Sequence, residues 1–201
     1  MTALRDMRAA APLLAFASLL LLPGAAMRAG VLSFDYRFEA LLTVSLFILA
    51  FSAYAGFTRA ELGLASPFVR RHWLGGVALT AALAAAIAIE ANFVVANRAA
   101  PNLIVFAPFY VLVSSPLQEI VCRAIPKLIA DKLQMSGANY VLFSAAVFSL
   151  MHVAYGDSLL LLNTFFAGLA WGAAYLITRN VWPLAFSHAA IGLYAFSLGV
   201  A

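Results

Sequence analysis

The sequence predicts an all-α protein, a polytopic bundle of about seven transmembrane helices, with six to eight as the range. Two observations support this prediction. Of the 201 residues, 65% are hydrophobic and only 10% are charged, whereas roughly a quarter of the residues in soluble globular domains are charged. The apolar residues also form long runs, and a helix needs about 17–25 such residues to cross the hydrocarbon of a bilayer. We therefore expect an integral membrane protein.

Seven apolar runs have this length, and each predicts one helix. They cover approximately residues 10–28, 39–57, 73–97, 101–125, 139–155, 158–178 and 180–200. No hydrophilic stretch is long enough for a second domain, so residues 1–201 are expected to form a single membrane domain. Because Arg5 and Arg8 precede the first run, a cleaved signal peptide is an alternative to a retained helix. An eighth crossing, created by a break at Pro108 or Pro116, is another alternative.

The basic residues predict the orientation of the bundle, because Lys and Arg accumulate in short loops on the cytoplasmic side. With a cytoplasmic N-terminus, the basic residues on the inner side are Arg5, Arg8, Arg59, Arg70, Arg71, Lys127, Lys132 and Arg179. Those on the outer side are Arg28, Arg37 and Arg98. We therefore expect a cytoplasmic N-terminus, in the inner membrane of a bacterium. The net charge of +4 is explained by these loop residues and gives no reason to expect a nucleic-acid partner.

Ionisable side chains inside membrane spans are costly, and each is a candidate functional residue. The candidates are Glu90, Glu119, Arg123, His152 and His188. Glu119 and Arg123 are four residues apart, so they share one helix face and neutralise each other. A buried pair of this kind can be purely architectural. For Glu90, in an earlier span, we expect a position near the outer membrane boundary or an ion pair with Arg98.

Three short motifs follow one another in the second half of the chain. They are QEIVCR at 118–123, FSLMH at 148–152 and HAAIG at 188–192. In this order and setting they resemble the motifs of the CPBP family of intramembrane proteases, which includes CAAX-processing and bacteriocin-processing enzymes. The family motifs read Glu-Glu-x-x-x-Arg, Phe-x-x-x-His and His-x-x-x-Asn. The resemblance extends from Pro116 to Gly192, within a motif-bearing core of about 101–200.

The resemblance implies an all-helical endopeptidase of the glutamate type, in which a glutamate and a histidine activate water for peptide-bond hydrolysis. It also implies that the second histidine and the asparagine stabilise the oxyanion. Carried over to this sequence, the catalytic residues are Glu119, His152 and His188. Arg123 and Phe148 match supporting positions of the motifs. The expected partners are a membrane protein or membrane-associated peptide as substrate, and the lipid bilayer.

The sequence departs from the family pattern at two positions, where Gln118 replaces the first glutamate and Gly192 replaces the asparagine. Asn163 carries a carboxamide in an intervening helix, and we consider it as a substitute for the missing asparagine. If the cavity lies on the side of Gln118, the protein is expected to be inactive. If Glu119 faces His152, Glu119 is the base, and we favour this second arrangement.

Two further alternatives to a protease remain open. One is a catalytically silent relative that binds a membrane partner, because glutamine cannot accept a proton at useful pH. The other is a small transporter that relays protons through Glu119, His152 and His188. A transporter built from inverted repeats would show matching broken helices in its two halves, and the sequence contains none.

The depth of each candidate in the membrane follows from the helical rise of about 1.5 Å per residue. Glu119 and His188 are expected at similar depths, whereas His152 is expected deeper unless its helix tilts. One glutamate and two histidines also suit a zinc site with an open fourth position. The His-Glu-x-x-His pattern of many zinc sites is absent, and the resembling family is read as working without metal. We therefore expect no metal and no other cofactor.

Overall fold

The fold is a bundle of helices, seen in a computed structural model that describes residues 2–93 and 102–200. The helices are α1 (Thr2–Arg28), α2 (Arg37–Tyr54), α3 (Arg70–Glu90), α4 (Leu103–Lys132), α5 (Gly137–Leu150), α6 (Ser158–Thr178) and α7 (Trp182–Ser197). Short 3₁₀ turns precede α2 at Phe34–Tyr36 and follow α5 at Val153–Tyr155. These described residues contain no strand, and the predicted all-α class is confirmed.

Within residues 2–93 and 102–200, five helical segments are long and apolar enough to cross a membrane. They are Phe34–Tyr54, Arg70–Glu90, Leu103–Lys132, Gly137–Tyr155 and Ser158–Thr178. The apolar part of α1, Ala15–Arg28, and the 16 residues of α7 are shorter. The predicted count of about seven membrane helices therefore agrees roughly with the structure, in which seven helices form and five have full spanning length.

Helix α1 packs into the bundle with an apolar face. Phe16 and Leu20 on this helix are buried and belong to the same hydrophobic core as residues of α4, α5 and α6. Gly24 faces the turn after α5, where a Cβ would lie 3.3 Å from Val153 Cγ1. Helix α1 therefore contributes to the hydrophobic core of the bundle.

Helix α4 is continuous, so it does not contain the break that would have created an eighth crossing. It instead contains two π-helical turns, Tyr110–Ser114 and Ile120–Ala124. Wide turns of this kind occur mostly as single insertions inside α-helices, often at functional sites. The three motif residues of α4 lie in and directly before the second π turn.

The two π turns have a local cause in the sequence. In each, the closing hydrogen bond is donated by the residue directly before a proline, Ser115 before Pro116 and Ile125 before Pro126. A proline inside a helix has no N–H to donate, and its ring clashes with the preceding turn. Widening that turn accommodates the proline without ending the helix. The extra residue in the turn also changes the direction in which the following side chains point.

Two close contacts each join a motif-bearing helix to a neighbouring helix. Helices α5 and α6 meet at Gly168, where a Cβ would lie 2.9 Å from Ala145 Cα. Helices α3 and α7 meet at Gly76, where a Cβ would lie 2.7 Å from Pro183 Cβ. Only glycine permits these approaches, because any larger residue would push the two helices apart.

Candidate active site

The buried ion pair of α4 lies at the centre of the motif region. The side chains of Glu119 and Arg123 are both fully buried, and Arg123 Nε lies 3.3 Å from Glu119 Oε2. The pair therefore neutralises itself inside the bundle, as its spacing of one helical turn predicts. Its angles are poor for a hydrogen bond, so the contact is mainly an attraction between charges.

Arg123 is held in place by helix α5. Its Nη1 donates to Ser144 Oγ at 2.9 Å and to the Ser144 carbonyl oxygen at 3.3 Å. Ser144 Oγ in turn donates to the carbonyl oxygen of Cys122 at 2.6 Å. The Arg123 guanidinium also lies over the ring of Phe148, with Cζ 4.6 Å from the ring centroid. These contacts fix the guanidinium and, through it, one oxygen of Glu119.

The second oxygen of Glu119 contacts the third motif. His188 Nδ1 lies 2.8 Å from Glu119 Oε1, and the His188 side chain is almost completely buried. A carboxylate only accepts hydrogen bonds, so Nδ1 carries the proton and donates it. When the ring is neutral, the Nε2 atom of His188 therefore carries the lone pair.

Aromatic rings fix the plane of the His188 imidazole. Trp171 of α6 stacks on it, with centroids 4.7 Å apart and an angle of 21° between the rings. Trp171 Nε1 donates to Ser187 Oγ at 3.0 Å, which holds the indole. Phe148 meets the imidazole edge-on at 5.3 Å and 89°. His188 is therefore fixed in both direction and plane.

His152 lies just beyond the end of α5 and has a different partner. Its Nδ1 lies 2.8 Å from the carbonyl oxygen of Phe148, which only accepts, so Nδ1 donates. Its Nε2 is therefore also a lone-pair atom when the ring is neutral. The expected pairing of Glu119 with His152 is not the one observed, because Glu119 Oε1 contacts His188, Glu119 Oε2 faces Arg123, and His152 Nδ1 contacts a backbone carbonyl oxygen.

A cavity of about 270 Å³ borders this cluster. Gln118, His152 and His188 line its wall together with many apolar side chains, whereas Glu119 and Arg123 are absent from the lining. Gln118 Nε2 donates to Ser114 Oγ at 2.8 Å. The cavity therefore lies on the side of Gln118, and Glu119 reaches it only through His188. This is the arrangement that the sequence prediction did not favour, and for which it expected an inactive protein.

Asn163 does not lie free beside His188. Its Nδ2 donates to Glu90 Oε1 at 2.6 Å, and both residues line the cavity. The amide proposed as a substitute for the missing asparagine is thus used in holding α6 to α3. Glu90 faces the cavity, and the predicted ion pair with Arg98 lies outside the described residues.

The described part of the chain contains no group of three or more His, Cys, Asp and Glu side chains arranged to hold a metal ion. The motif residues cluster as one carboxylate against one imidazole, with His152 turned to a backbone carbonyl. Three residues that contact the motif side chains were missed by sequence reasoning, namely Trp171, Ser144 and Tyr110, whose ring centroid lies 5.9 Å from that of His188. None of them belongs to the quoted motifs, and no signal in a single sequence distinguishes them from other core residues.

Residues 100–194 match a protein-family model whose description is type II CAAX prenyl endopeptidase Rce1-like. The matched segment contains all three motifs, from Gln118 to Gly192. The resemblance inferred from those motifs is thus confirmed. Searches of curated proteins and of solved structures found no match.

Proposed function

We propose that this chain, a member of the Rce1-like family of type II CAAX prenyl endopeptidases through its residues 100–194, hydrolyses a peptide bond of a membrane-associated substrate. The family consists of membrane peptidases, and the chain has the helices of an integral membrane protein. In our proposal His188, oriented by Glu119, is the base that activates water. The 2.8 Å contact between His188 Nδ1 and Glu119 Oε1, at the cavity wall, carries this proposal.

The proposed reaction begins with a water molecule in the cavity. His188 Nε2 takes one proton from this water while the water oxygen bonds to the carbonyl carbon of the substrate. The resulting imidazolium is stabilised by the carboxylate of Glu119, which the guanidinium of Arg123 holds in place. The carbon–nitrogen bond then breaks, and the same proton passes from His188 to the departing amine. The products are a carboxylic acid and an amine, with no other reactant required.

We assign the base to His188 and not to His152 because their Nδ1 atoms have different hydrogen-bond acceptors. The Nδ1 of His188 donates to a carboxylate, whose charge favours the imidazolium that forms when Nε2 takes a proton. The Nδ1 of His152 donates to a neutral carbonyl oxygen, which offers less stabilisation. We assign His152 to the orientation of the attacking water, because the residue lines the same cavity and its Nε2, in the neutral ring, has a lone pair that can accept a hydrogen bond from water.

The lining of the cavity supports a substrate that carries an apolar group. Leu41, Val44, Leu83, Ile87 and Phe106 are among the side chains around it. Apolar surface of this kind favours a hydrophobic ligand through the area removed from water. With the family description, this supports a peptide that ends in a prenylated cysteine followed by three residues. We further propose a bacterial inner membrane and a cytoplasmic N-terminus, as the basic residues predict.

One observation favours a second candidate function. Gln118, which stands where the family has a glutamate, lies on the cavity wall, whereas Glu119 lies behind His188. If catalysis requires a carboxylate at position 118, this chain lacks it and would bind its membrane partner without cleaving it. The two candidates differ in whether the wild-type protein cleaves, and in whether Gln118→Glu is needed for cleavage.

Reconstitution in proteoliposomes tests the proposed function. The probe is a quenched fluorescent peptide with a farnesylated cysteine followed by three residues. We expect the wild-type protein to cleave it and His188→Ala to lower turnover by at least about 100-fold. Tyr194→Phe is the matched control, because this tyrosine lies on the same helix and outside the cavity lining. Equal cleavage by folded His188→Ala protein and the wild type would refute the assignment of the base.

A further inference from the structure

Gly192 stands where the family motif has asparagine, and the structure shows what occupies the space of the missing side chain. A Cβ built on Gly192 would overlap the hydroxyl oxygen of Tyr110 and lie 2.6 Å from Tyr110 Cζ. Tyr110 belongs to the first π turn of α4, and Gly192 lies one helical turn after His188 on α7. The hydroxyl group of Tyr110 is therefore found where a side chain at position 192 would begin.

The Tyr110 side chain is held firmly in this position. Its ring stacks on Phe106 at 5.1 Å and meets Phe196 edge-on at 5.7 Å. It also meets the imidazole of His188 at 5.9 Å and 82°, and only 8% of the residue is exposed. Aromatic contacts on several sides leave the ring little freedom to move aside. Tyr110 and Gly192 both line the cavity, so the hydroxyl lies at its wall.

Peptide hydrolysis in this cavity needs a hydrogen-bond donor for the oxyanion of the tetrahedral intermediate. Neither histidine supplies one in its neutral form, because the Nδ1 protons are donated to Glu119 and to the Phe148 carbonyl oxygen. The amides of Gln118 and Asn163 each use one of their two N–H groups, for Ser114 Oγ and for Glu90 Oε1, and neither amide contacts position 192 in the way that Tyr110 does. A tyrosine hydroxyl is a donor that carries no charge and is used for this purpose in other enzymes.

We propose that the hydroxyl group of Tyr110 donates a hydrogen bond to the oxyanion, in the place of the carboxamide that Gly192 lacks. The proposal rests on the proposed hydrolytic function. It also gives a physical reason for glycine at position 192, since the asparagine side chain and the Tyr110 ring would occupy the same volume. Tyr110 and Gly192 thus act as a pair, in which the hydroxyl group of a tyrosine on α4 takes the role of an asparagine amide on α7.

The first test removes the hydroxyl oxygen and keeps the ring. In proteoliposomes with the farnesylated peptide probe, Tyr110→Phe is expected to lower kcat by about 100- to 1000-fold, the usual effect of losing one oxyanion donor. KM is expected to stay within about threefold, because the hydroxyl acts mainly in the transition state. Tyr194→Phe is again the matched control, with wild-type kcat expected.

The second test restores an asparagine at position 192, with and without removal of the Tyr110 ring. Gly192→Asn alone should lose both thermal stability and turnover, because the new side chain meets a ring that cannot move aside. The double variant Tyr110→Ala/Gly192→Asn makes room for the amide, and we expect it to turn over at least about tenfold faster than Tyr110→Ala. If Tyr110 only packs against α7, the double variant is expected to turn over no faster than Tyr110→Ala, and that result would contradict the proposal.

The outcomes separate the two proposals. If the wild-type protein cleaves the probe and His188→Ala does not, but folded Tyr110→Phe protein has wild-type kcat, the role of Tyr110 is refuted and the proposed function stands. If the wild-type protein and all variants leave the probe intact, the proposed function fails and the role of Tyr110 fails with it. A loss confined to KM in Tyr110→Phe would also overturn the role, since it would indicate substrate binding alone.

Discussion

His188 Nδ1 lies 2.8 Å from Glu119 Oε1, and this contact joins the first and third motifs across helices α4 and α7. The carboxylate uses its other oxygen for Arg123, so one buried group serves both an ion pair and a histidine. The ion pair of Glu119 and Arg123 therefore also contributes to the position of His188. In our proposal, it fixes the carboxylate that orients His188 toward the cavity.

The first prediction concerns Glu119 as a positioning residue. Glu119→Gln is expected to lower turnover by about 100- to 10,000-fold, because an amide can hold His188 in the wrong tautomer. The single change also leaves Arg123 buried without its partner, at a cost to folding of about 3–5 kcal/mol. The double variant Glu119→Gln/Arg123→Met removes both charges and is expected to fold while staying inactive.

The measurements for this pair are thermal unfolding in detergent and the pH dependence of turnover. A purely structural ion pair predicts that the double variant recovers activity together with stability. A positioning role predicts that stability returns, turnover does not, and the shape of the pH–rate profile differs from that of the wild type. Recovery of wild-type turnover by the double variant would contradict our account.

The second prediction ranks the two histidines. His188→Ala is expected to lower turnover more than His152→Ala, because only His188 has a carboxylate partner. We expect His152→Ala to cost about 10- to 100-fold, a smaller loss than for the base itself. Turnover is measured with the farnesylated probe on protein shown to be folded by size-exclusion chromatography. A larger loss for His152→Ala would reverse the two roles.

A third prediction tests the packing that brings α5 and α6 together. Gly168→Ala is expected to destabilise the protein by about 1–3 kcal/mol, because the new Cβ would lie 2.9 Å from Ala145 Cα. Gly172→Ala is the matched control on the same helix, since its Cβ would have only ordinary contacts at 3.6 Å. Unfolding in micelles with increasing SDS measures both. Equal stability of the two variants would contradict the close approach at Gly168.

The fourth prediction separates an active enzyme from a silent relative. Gln118→Glu adds a carboxylate at the cavity wall. If His188 is already the base, turnover is expected to change by less than about tenfold. The same assay on wild-type protein and Gln118→Glu protein gives the comparison. Cleavage by the variant together with none by the wild type would identify the chain as a silent binding protein.

Much of the fold followed from the sequence because apolar run length determines which segments form membrane helices. The contact between Glu119 and His188 is also consistent with the equal depths predicted for them. The pairing of Glu119 with His152 was wrong because the rise along a helix gives depth and not direction. The direction of Glu119 relative to the start of α4 depends on the π turn before Pro116, whose effect on the following side chains a regular helix does not reproduce.

The replacement of the asparagine was beyond sequence reasoning for a different reason. Asn163 was considered because an amide is the nearest chemical substitute, but its amide holds Glu90 on α3. Tyr110 is far from Gly192 in sequence, and tyrosine is common in apolar helices. Only the packing of α4 against α7 shows that the two residues share one volume.

The most direct test of the central claim is hydrolysis of the farnesylated peptide in water enriched in oxygen-18, with the products analysed by mass spectrometry. Our account predicts that the wild-type protein cleaves one peptide bond and places oxygen-18 in the new carboxylate. It also predicts at least about 100-fold less product from folded His188→Ala protein. Equal amounts of labelled product from both proteins, or none from the wild type, would contradict it.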